Sequence, residues 1–136
     1  MSRRAAAAVL VLFALPGALS CTSSAAKPPS EVVAELGEVT DLTGQTAVTI
    51  EVVDNSYKPR VAKVKPGTKV TFTNTGANPH NVTPFEDGSF AAITLTPGQS
   101  AEITVPQTLG DVPFYCTIHG GKSSGQRGAL VIAKPF

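Results

Sequence analysis

The feature that most constrains the fold of this chain is a period-two alternation of apolar and polar residues that begins after Thr46. Successive side chains of a β-strand point to opposite faces, so this alternation predicts strands with one buried face. The apolar positions fall into three groups: Val48, Ile50 and Val52; Val70 and Phe72; Ala101, Ile103 and Val105. Beyond Thr46, no amphipathic segment of helix length competes with this pattern.

Two proline-glycine turns separate these segments. Lys65-Pro66-Gly67 and Thr96-Pro97-Gly98 match a type II turn, in which proline fixes φ and glycine accepts a positive φ. Further short apolar runs at 112–116 and 129–133 bring the total to about seven to eight strands, a spacing typical of sandwiches. The sequence therefore predicts one all-β domain, a Greek-key β-sandwich, over residues 46–136.

The N-terminus has the pattern of an export signal. Arg3-Arg4 precede an apolar run from Ala5 to Leu19, which is shorter than the roughly 18 to 20 apolar residues of a membrane-spanning helix. Ser20-Cys21 resembles a bacterial lipoprotein processing site. We therefore expect a signal peptide at 1–20 and a lipid on Cys21, which would anchor the protein to the bacterial membrane on its periplasmic or extracellular side. Ordinary secretion with a nearby cleavage point is the alternative.

Residues 21–45 are rich in small, polar and proline residues, and we expect them to form a flexible tether. Glu31 to Leu36 could form one or two helical turns, which would be marginal in isolation. Removing Arg3 and Arg4 from the 11 basic residues leaves nine against 10 acidic ones, a net charge of −1. This balance excludes the basic footprint of a nucleic-acid-binding protein.

The chain has two cysteines, Cys21 and Cys116, and two histidines, His80 and His119. Export would permit one disulfide, but Cys21 lies at the processing site. Cys116 and His119 lie three residues apart, after an apolar strand and at a glycine-rich loop. This spacing alone is a weak indication of a metal, because a buried free cysteine beside a surface histidine is common.

The second histidine strengthens the case for a metal. His80 follows a turn after a predicted strand, so in a sandwich its loop can reach the loop that follows Cys116. Two imidazoles and one thiolate form the trigonal donor set of blue-copper sites. Zinc remains a chemical alternative for this set.

Five motifs occur in one order: Tyr57-Lys58-Pro59, Val64-Lys65-Pro66-Gly67, Val70-Thr71-Phe72-Thr73-Asn74, Pro79-His80-Asn81-Val82 and Phe114-Tyr115-Cys116-Thr117-Ile118-His119-Gly120. Together they resemble the cupredoxin, or plastocyanin-like, family over residues 46–134. The resemblance implies a β-sandwich that binds one copper ion through His80, Cys116 and His119, cycles it between Cu(I) and Cu(II), and carries single electrons.

The chain departs from this family at the axial copper ligand, which is usually a methionine. The only methionine is Met1, which is lost with the signal peptide. Gln126, between Gly125 and Arg127, stands where related sequences usually have methionine, and stellacyanin-like members use glutamine. We therefore expect Gln126 to be the axial ligand and to lower the reduction potential. The alternatives are a solvated Gln126 with a three-coordinate site, or an approach by the Pro79 carbonyl.

Hydrogen bonds around the ligands are also implied by the resemblance. Asn81 is expected to tie the His80 loop to the backbone near Thr117, and Pro79 to adjoin the site. The alternative role for Asn81 is a local Asx turn.

The implied function is outer-sphere electron transfer through His119 to and from redox protein partners. The protein is expected to be a monomer and to catalyse no reaction. The uncharged docking surface is expected to comprise Pro79, Pro84, Phe85, Gly120 and Gly121. Copper storage or delivery is the alternative, and a metal-free adhesion sandwich is a third. A copper oxidase or nitrite reductase would need a second, histidine-rich centre, which two histidines cannot supply.

Overall fold

The computed structural model describes residues 27–135, so the expected signal peptide and Cys21 lie outside the described residues. These residues form one helix and ten strands: α1 (Pro29–Leu36), β1 (Val39–Asp41), β2 (Ala47–Val53), β3 (Ser56–Lys58), β4 (Val61–Val64), β5 (Lys69–Asn74), β6 (His80–Pro84), β7 (Ile93–Leu95), β8 (Ser100–Thr104), β9 (Gly110–Gly120) and β10 (Gly125–Ile132).

The strands form two sheets. One has six strands in the order β1-β4-β10-β9-β6-β7, and the other has four in the order β3-β2-β5-β8. β9 pairs antiparallel with β10 on one side and with β6 on the other. Their core-facing side chains belong to one hydrophobic cluster. The predicted all-β sandwich is therefore confirmed.

The alternation seen in the sequence matches the burial in the structure. In β2, Val48, Ile50 and Val52 are buried while the residues between them are exposed. Gly67 and Gly98 have φ values of 77° and 84°, as the two predicted turns require. The strand count exceeds the predicted seven to eight because β1, β3 and β7 have only three residues each, too few for alternation to be visible.

The centre of the core is the ring of Phe114 on β9. It lies edge-on to Tyr57, with ring centroids 4.9 Å apart, and to Phe72, with centroids 5.5 Å apart. Such edge-to-face pairs contribute about 0.5–1.5 kcal/mol each beyond their buried area. Gly128 leaves space for this ring, since a Cβ there would lie 2.6 Å from Phe114 Cε2. These contacts fix the segment of β9 that leads directly to Cys116.

Within the expected flexible tether at 21–45, of which residues 27–45 are described, the structure contains α1 and β1. Val32 and Leu36 of α1, four residues apart and therefore on one helix face, are buried against Val61 and Ala129. β1 then pairs with β4 as an outer strand of the larger sheet. Residues 29–41 are thus folded onto the domain, because their apolar side chains cover a second small hydrophobic cluster. The folded unit begins before Thr46.

Among the described residues, no helix has the length and apolar character needed to cross a membrane.

Replacing Val32 with alanine tests whether α1 is part of the folded unit. Because the side chain is 1% exposed, V32A should lower the free energy of unfolding by about 1–2 kcal/mol, measured by guanidinium denaturation. Val39→Ala is the matched control, since Val39 is 41% exposed, and should have a smaller effect. Equal midpoints for V32A and the unmodified protein would mean that the segment is a free tether.

Candidate metal centre

The structure brings together the three residues that the sequence predicts as copper ligands. His80 is the first residue of β6, and Cys116 and His119 both lie on β9. β9 continues to Gly120, so His119 lies within this strand, at an irregularity in its pairing with β10 between Tyr115 and Gly120. Since β6 pairs with β9 through Thr83 and Tyr115, His80 lies beside Cys116.

The donor atoms are spaced as a shared metal ion would require. Cys116 Sγ lies 3.9 Å from His80 Nδ1 and 3.7 Å from His119 Nδ1, and the donor atoms of all three residues lie within 4.8 Å of one another. An ion with a bond to sulfur of about 2.3 Å and one to nitrogen of about 2.0 Å, 120° apart, would separate the two donors by about 3.7 Å. The three donors therefore fit one ion.

The ligands differ in their access to solvent. His80 and Cys116 are fully buried, whereas His119 is partly exposed. The two imidazole rings lie 4.6 Å apart between centroids. The backbone N–H of Asn81 donates to Cys116 Sγ at 3.4 Å. One imidazole edge thus faces outward, while the rest of the site is shielded.

Asn81 connects the strands that carry the ligands. Its Oδ1 accepts from the Thr117 backbone N–H at 2.9 Å, and its Nδ2 donates to Thr117 Oγ1 at 2.6 Å. Its carbonyl accepts from the Tyr57 hydroxyl at 2.7 Å, and burial raises the pKa of Tyr57. The Asn81 Oδ1 also accepts from the Thr83 hydroxyl, so the local contact and the link between the strands are both present. Pro79, directly before His80, is exposed.

Gln126 is buried on β10, so the solvated alternative for it is wrong. Its Nε2 donates to the carbonyls of Val53 and Ser56, both at 2.9 Å. Its Oε1 is buried and has no hydrogen-bond partner among the described residues. A buried unpaired carbonyl oxygen is destabilising by about 1–3 kcal/mol, and a weak bond to a metal would offset this cost.

The approach of β10 to the site depends on two glycines. A Cβ on Gly120 would lie 2.7 Å from the Gln126 nitrogen, and one on Gly125 would lie 2.6 Å from the His119 carbonyl oxygen. Gly125 also has a positive φ of 84°. The backbones of β9 and β10 therefore nearly touch at Gly120 and Gly125. Gly120 directly follows His119, and Gln126 directly follows Gly125.

Asp54, which the sequence did not indicate as part of the site, lies in the turn between β2 and β3. Its Oδ1 is 2.8 Å from His80 Nε2. Hydrogen bonds from His80, and then from the backbone N–H of Ala77, lower the pKa of Asp54 to about 2. Asp54-Asn55 is ordinary turn composition, so no signal in the sequence marked this residue as part of a metal site.

The expected docking surface also differs in detail. Pro84 is buried, so its inclusion was wrong: as the last residue of β6 it pairs with Phe114 of β9. Ile118, which the sequence did not indicate, is 54% exposed beside His119. The Lys122 ammonium donates to the Phe85 carbonyl at 2.6 Å. His119 thus has an exposed apolar side chain, that of Ile118, as its neighbour in the chain.

A family model for the cupredoxin-like domain matches residues 6–132 of the chain. The chain belongs to the cupredoxin-like family. Copper is accordingly its cofactor, as predicted, and the donor set described above fits that ion. No curated protein matches the chain in sequence.

Three solved structures illustrate the similarity. A purple cupredoxin from Nitrosopumilus maritimus is 21% identical with a TM-score of 0.51, and the match covers 63% of this chain and 99% of that one. An amicyanin from Paracoccus versutus is 26% identical with a TM-score of 0.53, covering 64% of this chain and 81% of that one. A copper-containing nitrite reductase from Thermus scotoductus is 19% identical with a TM-score of 0.57, covering 72% of this chain but 28% of that one.

Proposed function

We propose that this cupredoxin is an exported one-electron carrier whose single copper ion is bound by His80, Cys116 and His119. The observation that carries the proposal is the preformed donor set, in which the two imidazoles and the thiol already have the spacing of ligands to one ion. When bound, copper supplies a Cu(I)/Cu(II) couple that takes up and releases one electron. The protein supplies the geometry and the path to the partner.

Strand pairing supports this role. Ligands held on rigid elements move little when the charge of the ion changes, so little reorganisation slows the transfer. His80 and Cys116 are buried between paired strands, while the partly exposed His119 offers a ring edge to a docked partner. The apolar Ile118 beside it gives a redox protein a surface from which water is readily displaced.

Two further observations favour a carrier over an enzyme. The chain has only two histidines, and both contribute to the one cluster found among the described residues. Its likeness to the nitrite reductase extends over only 28% of that chain. We infer that the protein catalyses no reaction and transfers electrons between other proteins.

Copper storage or delivery is a second candidate function. The partial exposure of His119 favours it, because an incoming ligand could displace this residue first. The burial of His80 and Cys116 argues for slow release instead. Rapid loss of copper to a weak chelator would favour delivery.

Export and membrane anchoring belong to the proposal on the strength of the sequence. The basic residues, the apolar run and Ser20-Cys21 support a lipid-modified Cys21 on the periplasmic or extracellular side of a bacterial membrane. Diacylation at this cysteine would keep the monomeric carrier close to membrane-bound redox partners. Mass spectrometry of the membrane-extracted protein would identify the lipid.

Gln126 is proposed as the axial ligand. Its amide nitrogen is occupied by two backbone carbonyls, which leaves the buried oxygen as the free donor atom. An amide oxygen is a harder donor than a thioether sulfur, so it favours Cu(II) and lowers the reduction potential.

Cu(II) added to the metal-free protein should produce an intense visible thiolate-to-copper charge-transfer band at one ion per chain. Replacing Cys116 with serine should abolish this band, because the thiolate is its origin. Cys21→Ser is the matched control and should retain the full band. A colourless protein that prefers zinc, or a band that survives in C116S, would contradict the carrier function.

Replacing Gln126 with methionine should raise the reduction potential by at least about 59 mV, a tenfold change in the equilibrium constant of a one-electron couple. Protein-film voltammetry would measure the change. Gln45→Met is the matched control, because Gln45 is exposed in a turn, and should leave the potential unchanged. If Q126M has the potential of the unmodified protein, Gln126 does not contact copper.

A further inference from the structure

We propose that Asp54 is a positioning residue of the copper site, which fixes the tautomer and orientation of His80 and thereby lowers the reduction potential of bound copper. The inference rests on the copper-carrier function proposed above. It concerns a residue at the far side of the imidazole ring, where Asp54 Oδ1 lies 2.8 Å from His80 Nε2.

The two nitrogens of His80 face different partners. Nδ1 lies 3.9 Å from Cys116 Sγ and points toward the metal position, while Nε2 faces the carboxylate. A neutral imidazole carries one N–H, so a metal at Nδ1 leaves the proton on Nε2. A carboxylate is a strong acceptor for that proton, and the hydrogen bond makes Nδ1 a stronger electron-pair donor to a metal.

Asp54 is itself held in place by the loop before His80. Its two oxygens accept from the Ala77 backbone N–H at 3.2 and 3.1 Å, and Oδ1 also accepts from Asn78 at 3.3 Å. At Gly76 a Cβ would lie 2.4 Å from Oδ1, so the loop closes tightly around the carboxylate. The carboxylate thus fixes the ring of His80 and the loop that presents it.

The same turn also holds Gln126. The two carbonyls that accept from Gln126 Nε2 belong to Val53 and Ser56, which flank Asp54 and Asn55 in the chain. Residues 53–56 therefore support two ligands. The Asp54 side chain contacts His80, and the backbone carbonyls of the segment hold the proposed axial ligand, Gln126. A substitution at Asp54 should affect His80 alone, since the backbone carbonyls that hold Gln126 remain.

The direction of the effect follows from charge. An imidazole that donates more strongly stabilises Cu(II) more than Cu(I), because Cu(II) carries the higher charge, and this lowers the reduction potential. Asp54 is 37% exposed, so water screens its direct Coulomb attraction for the ion. The effect is therefore transmitted mainly through the hydrogen bond to His80.

Asp54→Ala in the full chain should raise the reduction potential and weaken Cu(II) binding by about ten- to a hundredfold, measured by voltammetry and competition with a chelator. Asp54→Asn retains an acceptor for the Nε2 proton without the charge. Its reduction potential should therefore fall between those of the unmodified protein and D54A. In ¹⁵N NMR spectra of the metal-free protein, His80 should be protonated on Nε2, and D54A should lose this single tautomer.

Asp87→Asn is the control for loss of one negative charge. Asp87 lines a cleft with Gly110, at the start of β9. Cys116 lies six positions further along β9, or about 20 Å of strand. D87N should match the unmodified protein in potential and tautomer.

A D54A variant with lower thermal stability but unchanged potential and His80 tautomer would overturn the proposal, since Asp54 would then be only a turn residue. Failure of the unmodified protein to form a blue site would instead refute the carrier function, and the tautomer in the metal-free protein would still test Asp54.

Discussion

The pairing of β9 with β6 on one side and β10 on the other is the constraint on which the rest of the site depends. β9 carries two of the ligands, and β6 places His80 beside them. β10 carries Gln126, directly after the residue that pairs with Gly120 of β9. Phe114 anchors this strand in the core, and Cys116, two residues on, faces the same buried side. The packing that stabilises the sandwich therefore also aligns the copper donors.

Much of this arrangement is visible in the sequence because it is local or repeated. Alternation marks β2, β5 and β8, and the two proline-glycine turns mark the starts of β5 and β8. His80 and the pair Cys116 and His119 occur within family motifs whose order fixes their positions in the fold. Because no methionine follows Met1, the sequence also predicts Gln126 as a ligand, and the structure shows it buried with an unpaired oxygen.

The remaining features arise from contacts between residues distant in sequence, which composition and periodicity do not encode. Asp54 and His80 are 26 positions apart, and the aspartate occupies an ordinary turn. α1 has too few residues to be stable in isolation, yet Val32 and Leu36 bury its apolar face against the sheet. β1 has three residues and owes its place to pairing with β4. Tertiary packing, rather than local propensity, determines all three.

The donor arrangement predicts that the protein fixes the copper ligands before and during electron transfer. X-ray absorption at the copper edge, measured on the oxidised and the reduced protein, tests it most directly. Because the fold already brings the three donors together, we expect one sulfur and two imidazole nitrogens at short distance in both states. Loss of a histidine on reduction, or a copper site without sulfur in either state, would contradict the account.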